Sequence, residues 1–226
     1  IDVGGESTRP GSDPVPLEEE LRRVIPVIRQ VRREFPDVIL SIDTYKAETA
    51  RQAVQAGADI INDVTALRGD RQMVKVVQQT GTGVVLMHMQ GTPKTMQNSP
   101  YYQDVVTEVR NFLAERRAFA CSHGVEFDRI ALDPGFGFGK RDEDNIRLIR
   151  ELDHIAALAS PIVVGISRKS TLARLSGEPK LSFSERLWPT IAATCFLRLR
   201  GAQILRVHDV RPNLEALRMT EAIAAL

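Results

Sequence analysis

The sequence predicts an α/β protein, a (β/α)8 TIM barrel, here with seven strands because the first β/α unit is absent. Three observations carry this. Short apolar runs alternate with segments of helical spacing along all 226 residues, with no linker, repeat or low-complexity stretch, so residues 1–226 read as one domain. The runs are nearly continuous in aliphatic residues, as in parallel strands covered on both faces. Every run ends, on its carboxyl side, in polar or charged residues. A barrel gathers all such ends at one mouth, whereas an open doubly wound sheet concentrates its site at one switch point. The chain starts at Ile1 in what already reads as a strand, so something structured is expected before it in a longer protein.

Ile1-Asp-Val3 is the tail of the first strand, followed by Gly4 to Gly11 and a Pro-rich, polar loop, Ser12 to Pro16, expected to be mobile. Leu17, Leu21, Val24, Ile25, Ile28 and Val31 have helical spacing, with Pro26 expected to kink the helix. Val38–Thr44 is the next strand, and a short Ala-rich helix then stops at Gly57. A strand at Asp59–Val64, a helix at Asp70–Gln79 and a strand at Gly83–Met89 follow, and then a long helix over 104–122. Ile130-Ala-Leu-Asp133 is a strand that breaks into the loop Pro134-Gly-Phe-Gly-Phe-Gly-Lys140. The loop's two Phe residues read as built to cover something flat. Asp142–Leu152 is a helix, Pro161–Ile166 a strand, and 171–183 a short helix and loop. Ser184–Leu199 is a helix that tolerates Pro189 in its first turns. Gln203–Val207 is the last strand and Asn213–Leu226 the last helix.

The net charge of +1 gives no reason to expect nucleic acid or an acidic membrane surface as a partner. No apolar run approaches the roughly 18 residues a membrane span needs. Cys121 and Cys195 lie far apart, in helices and without CxxC spacing, and read as reduced thiols of a cytoplasmic protein.

Asp43, Asn62 and Asp133 stand at three strand ends. Singly, each reads as a turn or capping residue. As a set at one mouth they offer acceptors and an amide, suited to a flat heterocycle with adjacent N–H donors. Ser167-Arg-Lys-Ser170 puts two cations and two hydroxyls on another strand end. Arg206 and His208 flank Val207, so in an extended strand they point the same way and suit a phosphate or diphosphate. The competing reading for that pair is a salt bridge to Asp209 or Asp63. Gly135–Lys140 is not a Walker loop, because Pro134 and Arg141 stand where Gly and Ser or Thr are needed. His88 and His208 are too few for a hydrolytic zinc centre, since His123 and His154 fall in helix or loop segments. Magnesium, which takes carboxylate and phosphate oxygens, stays open.

Read together, Ile1-Asp-Val-Gly-Gly-Glu-Ser-Thr-Arg-Pro-Gly11, Ser41-Ile-Asp-Thr44, Ile60-Ile-Asn-Asp-Val64, Leu86-Met-His-Met-Gln-Gly91, Leu132 to Lys140, Gly165-Ile-Ser-Arg-Lys-Ser170 and Arg206-Val-His-Asp-Val210 closely resemble the bacterial dihydropteroate synthase family. The resemblance covers essentially the whole chain. It implies a (β/α)8 transferase of folate biosynthesis, a sulfonamide target and cytoplasmic homodimer, that joins 6-hydroxymethyl-7,8-dihydropterin diphosphate to p-aminobenzoate and releases diphosphate. It further implies that Asp43, Asn62, Asp133 and Lys169 hold the pterin, and Arg206 and His208 the diphosphate. Thr8, Arg9 and Pro10 would form the mobile loop that meets p-aminobenzoate, with Phe138 and Ser170 beside it. It implies Mg2+ as cofactor, with the metal-binding Asn on a first loop that this chain lacks, so no metal ligand is assigned here.

The expected reaction is carbon–nitrogen bond formation by loss of diphosphate, with Lys169, Asp133 and Arg206 as the catalytic groups. Asp133 and Asp43 favour positive charge on the ring, and Arg206, His208 and Mg2+ favour charge on the leaving group. The alternatives are a methyltetrahydrofolate methyltransferase-like domain, which would not need Ser167–Ser170 or the Arg206/His208 pair, and a non-catalytic pterin-binding homologue.

Overall fold

The computed structural model describes residues 1–225. Seven parallel strands follow one another around a curved sheet: β1 (Asp2–Gly4), β2 (Ser41–Asp43), β3 (Ile60–Asp63), β4 (Gly83–Met87), β5 (Ile130–Asp133), β6 (Val163–Val164) and β7 (Ile204–Leu205). β1 to β5 form one continuous ladder and β6–β7 a second. A parallel bridge from Leu132 to Ile162 joins the two. This is the α/β barrel order expected from the alternation of apolar runs and helices. The helices between and after the strands are α1 (Leu17–Glu34), α2 (Ala47–Ala56), α3 (Met73–Thr80), α4 (Val105–Ser122), α5 (Asp142–Arg150), α6 (Leu152–Ala156), α7 (Ser170–Leu175), α8 (Leu187–Leu199) and α9 (Val210–Ala224).

Alternation along the strands separates core from site. Ile42, Ile61, Leu86 and Leu132 are fully buried in one cluster with Ile28 of α1, Ala50 of α2, Val77 of α3, Leu113 of α4 and Leu148 of α5. Their neighbours Asp43, Asn62, Met87 and Asp133 therefore project to the other face. Register then sets the rim. Gly4 lies opposite Asp43, Asp43 opposite Asn62, and Met87 opposite Asp133. Helix termini follow local chemistry. Gly57 ends α2 and Gly81 ends α3, both in the left-handed conformation that costs a glycine nothing. The Asp104 side chain accepts from the Thr107 N–H to start α4.

Several sequence boundaries move. The strands at 38–44, 161–166 and 203–207 contract to 41–43, 163–164 and 204–205, because regular pairing stops where chains diverge toward the helices. The expected helix 142–152 divides into α5 and α6 at Glu151, whose φ of −111° leaves the helical region. α9 begins at Val210 rather than Asn213, and Leu226 lies outside the described residues. α1 is continuous through Pro26, since the buried stripe Val24, Ile25 and Ile28 holds the turn that lacks one donor. No described helix is long and apolar enough to cross a membrane.

Candidate active site

The carboxyl ends of the strands open into a cavity of about 1400 Å³. Asn62, Phe138, Lys169, Ser170, Arg206 and His208 line it, and so do Thr8, Arg9 and Pro10 from the loop between β1 and α1. Asp43 and Asp133 are not among the lining residues: Asp43 bonds the lining residue Arg206, and Asp133 is buried within the field of the lining residue Lys169.

Asp43 is the central acceptor. Its Oδ2 accepts from Arg206 Nη1 at 3.0 Å, while Oδ1 is buried and has no hydrogen-bond partner among the described residues. Burial first, and then the nearby charge of Asp2, push its pKa up to about 7 against the pull of Arg206. A buried carboxylate oxygen without a donor is costly, and a ligand N–H would satisfy it. Asp133 is almost fully buried and accepts from the Gly135 N–H at 2.7 Å. Burial raises its pKa too, opposed by the Gly135 bond and the charge of Lys169.

Lys169 donates to the Phe136 carbonyl, and its Nζ lies 4.6 Å from the centre of the Phe138 ring. Burial lowers its pKa to about 8, partly offset by Asp133. The Gly-Phe loop is shaped to bring these groups together. Gly135 has φ 68°, and a Cβ there would lie 2.0 Å from the His88 carbonyl oxygen. The tight turn sends Phe136 back into the core, where it is 1 % exposed. Only Phe138 of the two Phe residues therefore reaches the cavity, and Phe136 covers nothing there.

The cation side differs from its sequence reading. Arg206 does not pair with Asp209 or Asp63. Its Nη1 donates to Asp2 at 2.7 Å and to Asp43, bridging from the end of β7 to β1. Burial works against its charge, but Asp43 and Asp2 outweigh that and raise its pKa. Asp209 instead takes Arg168 in two bonds of 2.7 Å, with Phe183 under the guanidinium at 4.8 Å. Arg168 is thus spent on structure, and Lys169 is the cation of the Ser167–Ser170 segment that has no carboxylate partner among the described residues. His208 shares Ser167 Oγ through its N–H and its ring Nδ1, at 3.2 and 3.0 Å. Burial, then Arg168, hold its pKa below the usual range, so it is a neutral polar group near pH 7 rather than half of a cationic pair.

Three contributors escaped the sequence reading. Asp2 is one; its signal was an acid on the same apolar strand end that already carried the glycine-rich loop. Lys140 is another. It is 3 % exposed, and its Nζ meets His88 Nδ1 at 2.9 Å, the Gly135 carbonyl at 2.9 Å and the Phe138 carbonyl at 3.1 Å. Burial lowers its pKa to about 7. A lysine closing a glycine-rich apolar loop with no acid beside it was the available clue. The third is Glu6, bonded to Lys46 beneath the Thr8–Pro10 loop. His123 caps α4 and His154 lies in α6, both away from the mouth as expected.

A barrel mouth that sets a buried acid–amide floor against a lysine and an arginine defines a pterin-binding enzyme, and a family profile described as pterin binding enzyme matches residues 1–208. The dihydropteroate synthase of Synechocystis is 43 % identical over 223 residues, 99 % of this chain and 76 % of that protein. That of Escherichia coli K12 is 44 % identical over 222 residues, 98 % of this chain and 77 % of that protein. Among solved structures, Yersinia pestis dihydropteroate synthase in a sulfonamide drug complex superposes with a TM-score of 0.95 at 40 % identity, covering 100 % of this chain and 80 % of that one. The Xanthomonas albilineans enzyme with 4-aminobenzoic acid gives 0.92 at 44 % identity, covering 100 % and 79 %. The chain belongs to the dihydropteroate synthase family of pterin-binding transferases.

Proposed function

We propose that this chain condenses 6-hydroxymethyl-7,8-dihydropterin diphosphate with p-aminobenzoate to 7,8-dihydropteroate and diphosphate. The observation that carries this is Asp43 Oδ1, a buried acceptor with no partner among the described residues. Its carboxylate is paired in register with Asn62 and bonded to Arg206, the arginine that with Lys169 also acts on Asp133. The pterin ring's N–H groups meet Asp43, Asn62 and Asp133, and Lys169 donates to the ring carbonyl. Arg206 uses only Nη1 on the two acids, and among the described residues its Nε and Nη2 have no partner. That free edge is the fork geometry that grips phosphate. His208 adds a neutral hydrogen bond to the diphosphate.

The methylene carbon–oxygen bond breaks with its electron pair leaving on diphosphate. Asp43 and Asp133 favour the cation left on the pterin side, and Arg206 favours the departing charge. The aniline nitrogen then forms the new carbon–nitrogen bond and loses its proton to solvent. Thr8, Arg9 and Pro10, with Phe138 and Ser170, wall the position of p-aminobenzoate and of sulfonamide inhibitors, in line with the 4-aminobenzoic acid and sulfonamide complexes of the relatives.

Magnesium supplies Lewis-acid stabilisation of diphosphate where it binds. Among the described residues no three His, Cys, Asp or Glu side chains cluster to hold a metal, and Asp2 and Asp43 are bonded to Arg206. These residues alone do not make a magnesium site. A homodimer is the proposed state, supported by exposed apolar side chains on α8 and α9 such as Trp188, Met219 and Ile223; the proposed cytoplasmic location rests on the family resemblance. The test is diphosphate release by the purified protein: it is expected only with both substrates present, and release indifferent to p-aminobenzoate overturns the reading.

A further inference from the structure

The loop over residues 7–15 has an exposed tip and a fixed base. Arg9, Pro10 and Gly11 are exposed. Beneath them, the Glu6 carboxylate accepts from the Tyr45 hydroxyl at 2.5 Å, from Lys46, and from the Val15 N–H at 3.1 Å. Glu6 therefore bonds the far end of the loop whose near end it begins. Lys46 also donates to Glu20 Oε2 at 2.6 Å, and Glu20, 1 % exposed on α1, accepts from Thr44 Oγ1 at 2.7 Å. The Tyr45 ring centre lies 4.9 Å from the ammonium. Next to this cluster, Arg23 donates to the Gly5 carbonyl at 2.8 Å, and a Cβ on Gly5 would meet Val24 at 2.8 Å.

Two carboxylates and one ammonium so withdrawn from water are costly unless every oxygen and proton finds a partner. Here all three do. Burial opposes ionisation of both partners, yet their mutual bonds hold Glu6 below and Lys46 above the ordinary range. Both oxygens of Glu6 are spent in these bonds, so it is not left free to take a proton from a substrate. Lys46 stands three residues beyond Asp43.

We infer that Glu6, Lys46 and Glu20 form a clamp that fixes the base of the 7–15 loop to the end of β2, and so places Thr8, Arg9 and Pro10 against the second substrate. They are positioning residues. The inference rests on the proposed assignment of that loop to p-aminobenzoate. Because the clamp hangs from the strand end that carries Asp43, the loop is referenced to the ring pocket rather than to α1 alone.

The experiment compares Lys46→Met, Lys46→Arg, Glu6→Gln and Arg9→Ala in the purified enzyme. A displaced loop is expected to raise KM for p-aminobenzoate at least about tenfold in Lys46→Met, since small misplacements cost up to about a hundredfold. The inhibition constant of a sulfonamide should rise by the same factor, with calorimetric affinity for the pterin diphosphate unchanged, and Lys46→Arg should restore most of the loss. If Lys46→Met does not fold, Glu6→Gln, which keeps one of the two acceptor oxygens and removes the charge that holds Lys46, is read the same way. An unchanged KM with Arg9→Ala raising it overturns the clamp alone. An unchanged KM in both overturns the loop assignment and the clamp with it. Equal losses for pterin and p-aminobenzoate show general loosening and also overturn it.

Discussion

The acid side and the cation side of this mouth are built differently. Asp43, Asn62 and Asp133 stand on the five-stranded ladder, on short side chains at the ends of paired strands, with Asp43 and Asn62 directly opposite in register. Lys169, Arg206 and His208 stand beyond the two-residue strands β6 and β7, on long or rotatable side chains. Without substrate the acids keep an empty acceptor, whereas the groups opposite are already occupied: the cations Arg206 by Asp2 and Asp43 and Arg168 by Asp209, and the neutral His208 by Ser167. On the proposed reading, the difference teaches that a ring pocket on the acid side is preset while a diphosphate grip on the cation side must be shared with, or released from, bonds inside the protein.

The comparison is broken most forcefully at Arg206, which serves both sides. Arg206→Ala is expected to weaken diphosphate by about 2–5 kcal/mol, as for a truncated buried charge pair, and more than pterin alone. Calorimetry with diphosphate and with a pterin lacking it reads the split, and equal losses would make Arg206 a purely structural bridge. Asp133→Asn should cost pterin affinity about 1.5–3 kcal/mol, roughly ten- to hundredfold or more, while leaving diphosphate alone. Unchanged pterin affinity would remove Asp133 from the pocket.

Lys140→Met should lower stability by about 1–3 kcal/mol in urea denaturation, because the Gly135 and Phe138 carbonyls lose their donor in a dry site. No loss would show that the Gly-Phe loop holds itself. The smallest effects are in pH. Asp43 accepts ring N–H groups most strongly when ionised and titrates near 7; Lys169 donates most strongly when charged and titrates near 8. Pterin affinity of the empty enzyme should therefore fall below pH about 7 and above about 8. Asp2→Asn removes a neighbouring negative charge, so the acidic limb should move to lower pH; an unmoved limb would mean Asp2 does not act on Asp43. The same groups set stability. Asp43 binds its proton more tightly folded than unfolded, so stability should fall as pH rises from 3.8 toward 7. Lys169 binds its proton less tightly folded, so stability should rise from about 8 toward 10.5.

How far the sequence reached depended on whether a property is local. The alternation of aliphatic runs and helical stripes, and the polar residue closing each run, are local, and they determined the barrel order and which strand ends face the mouth. Asp43, Asn62 and Asp133 were legible because a strand period of two leaves one outcome once the neighbours Ile42, Ile61 and Leu132 go to the core. The seven motifs in register likewise sufficed for the family. Only the tertiary structure decided who pairs with whom. Arg206 meets Asp2 across 204 positions of sequence, and Arg168 meets Asp209 across 41, so no spacing rule announces either. The charge of His208, the inward turn of Phe136 and the clamp beneath the 7–15 loop follow from burial and from partners that folding alone supplies.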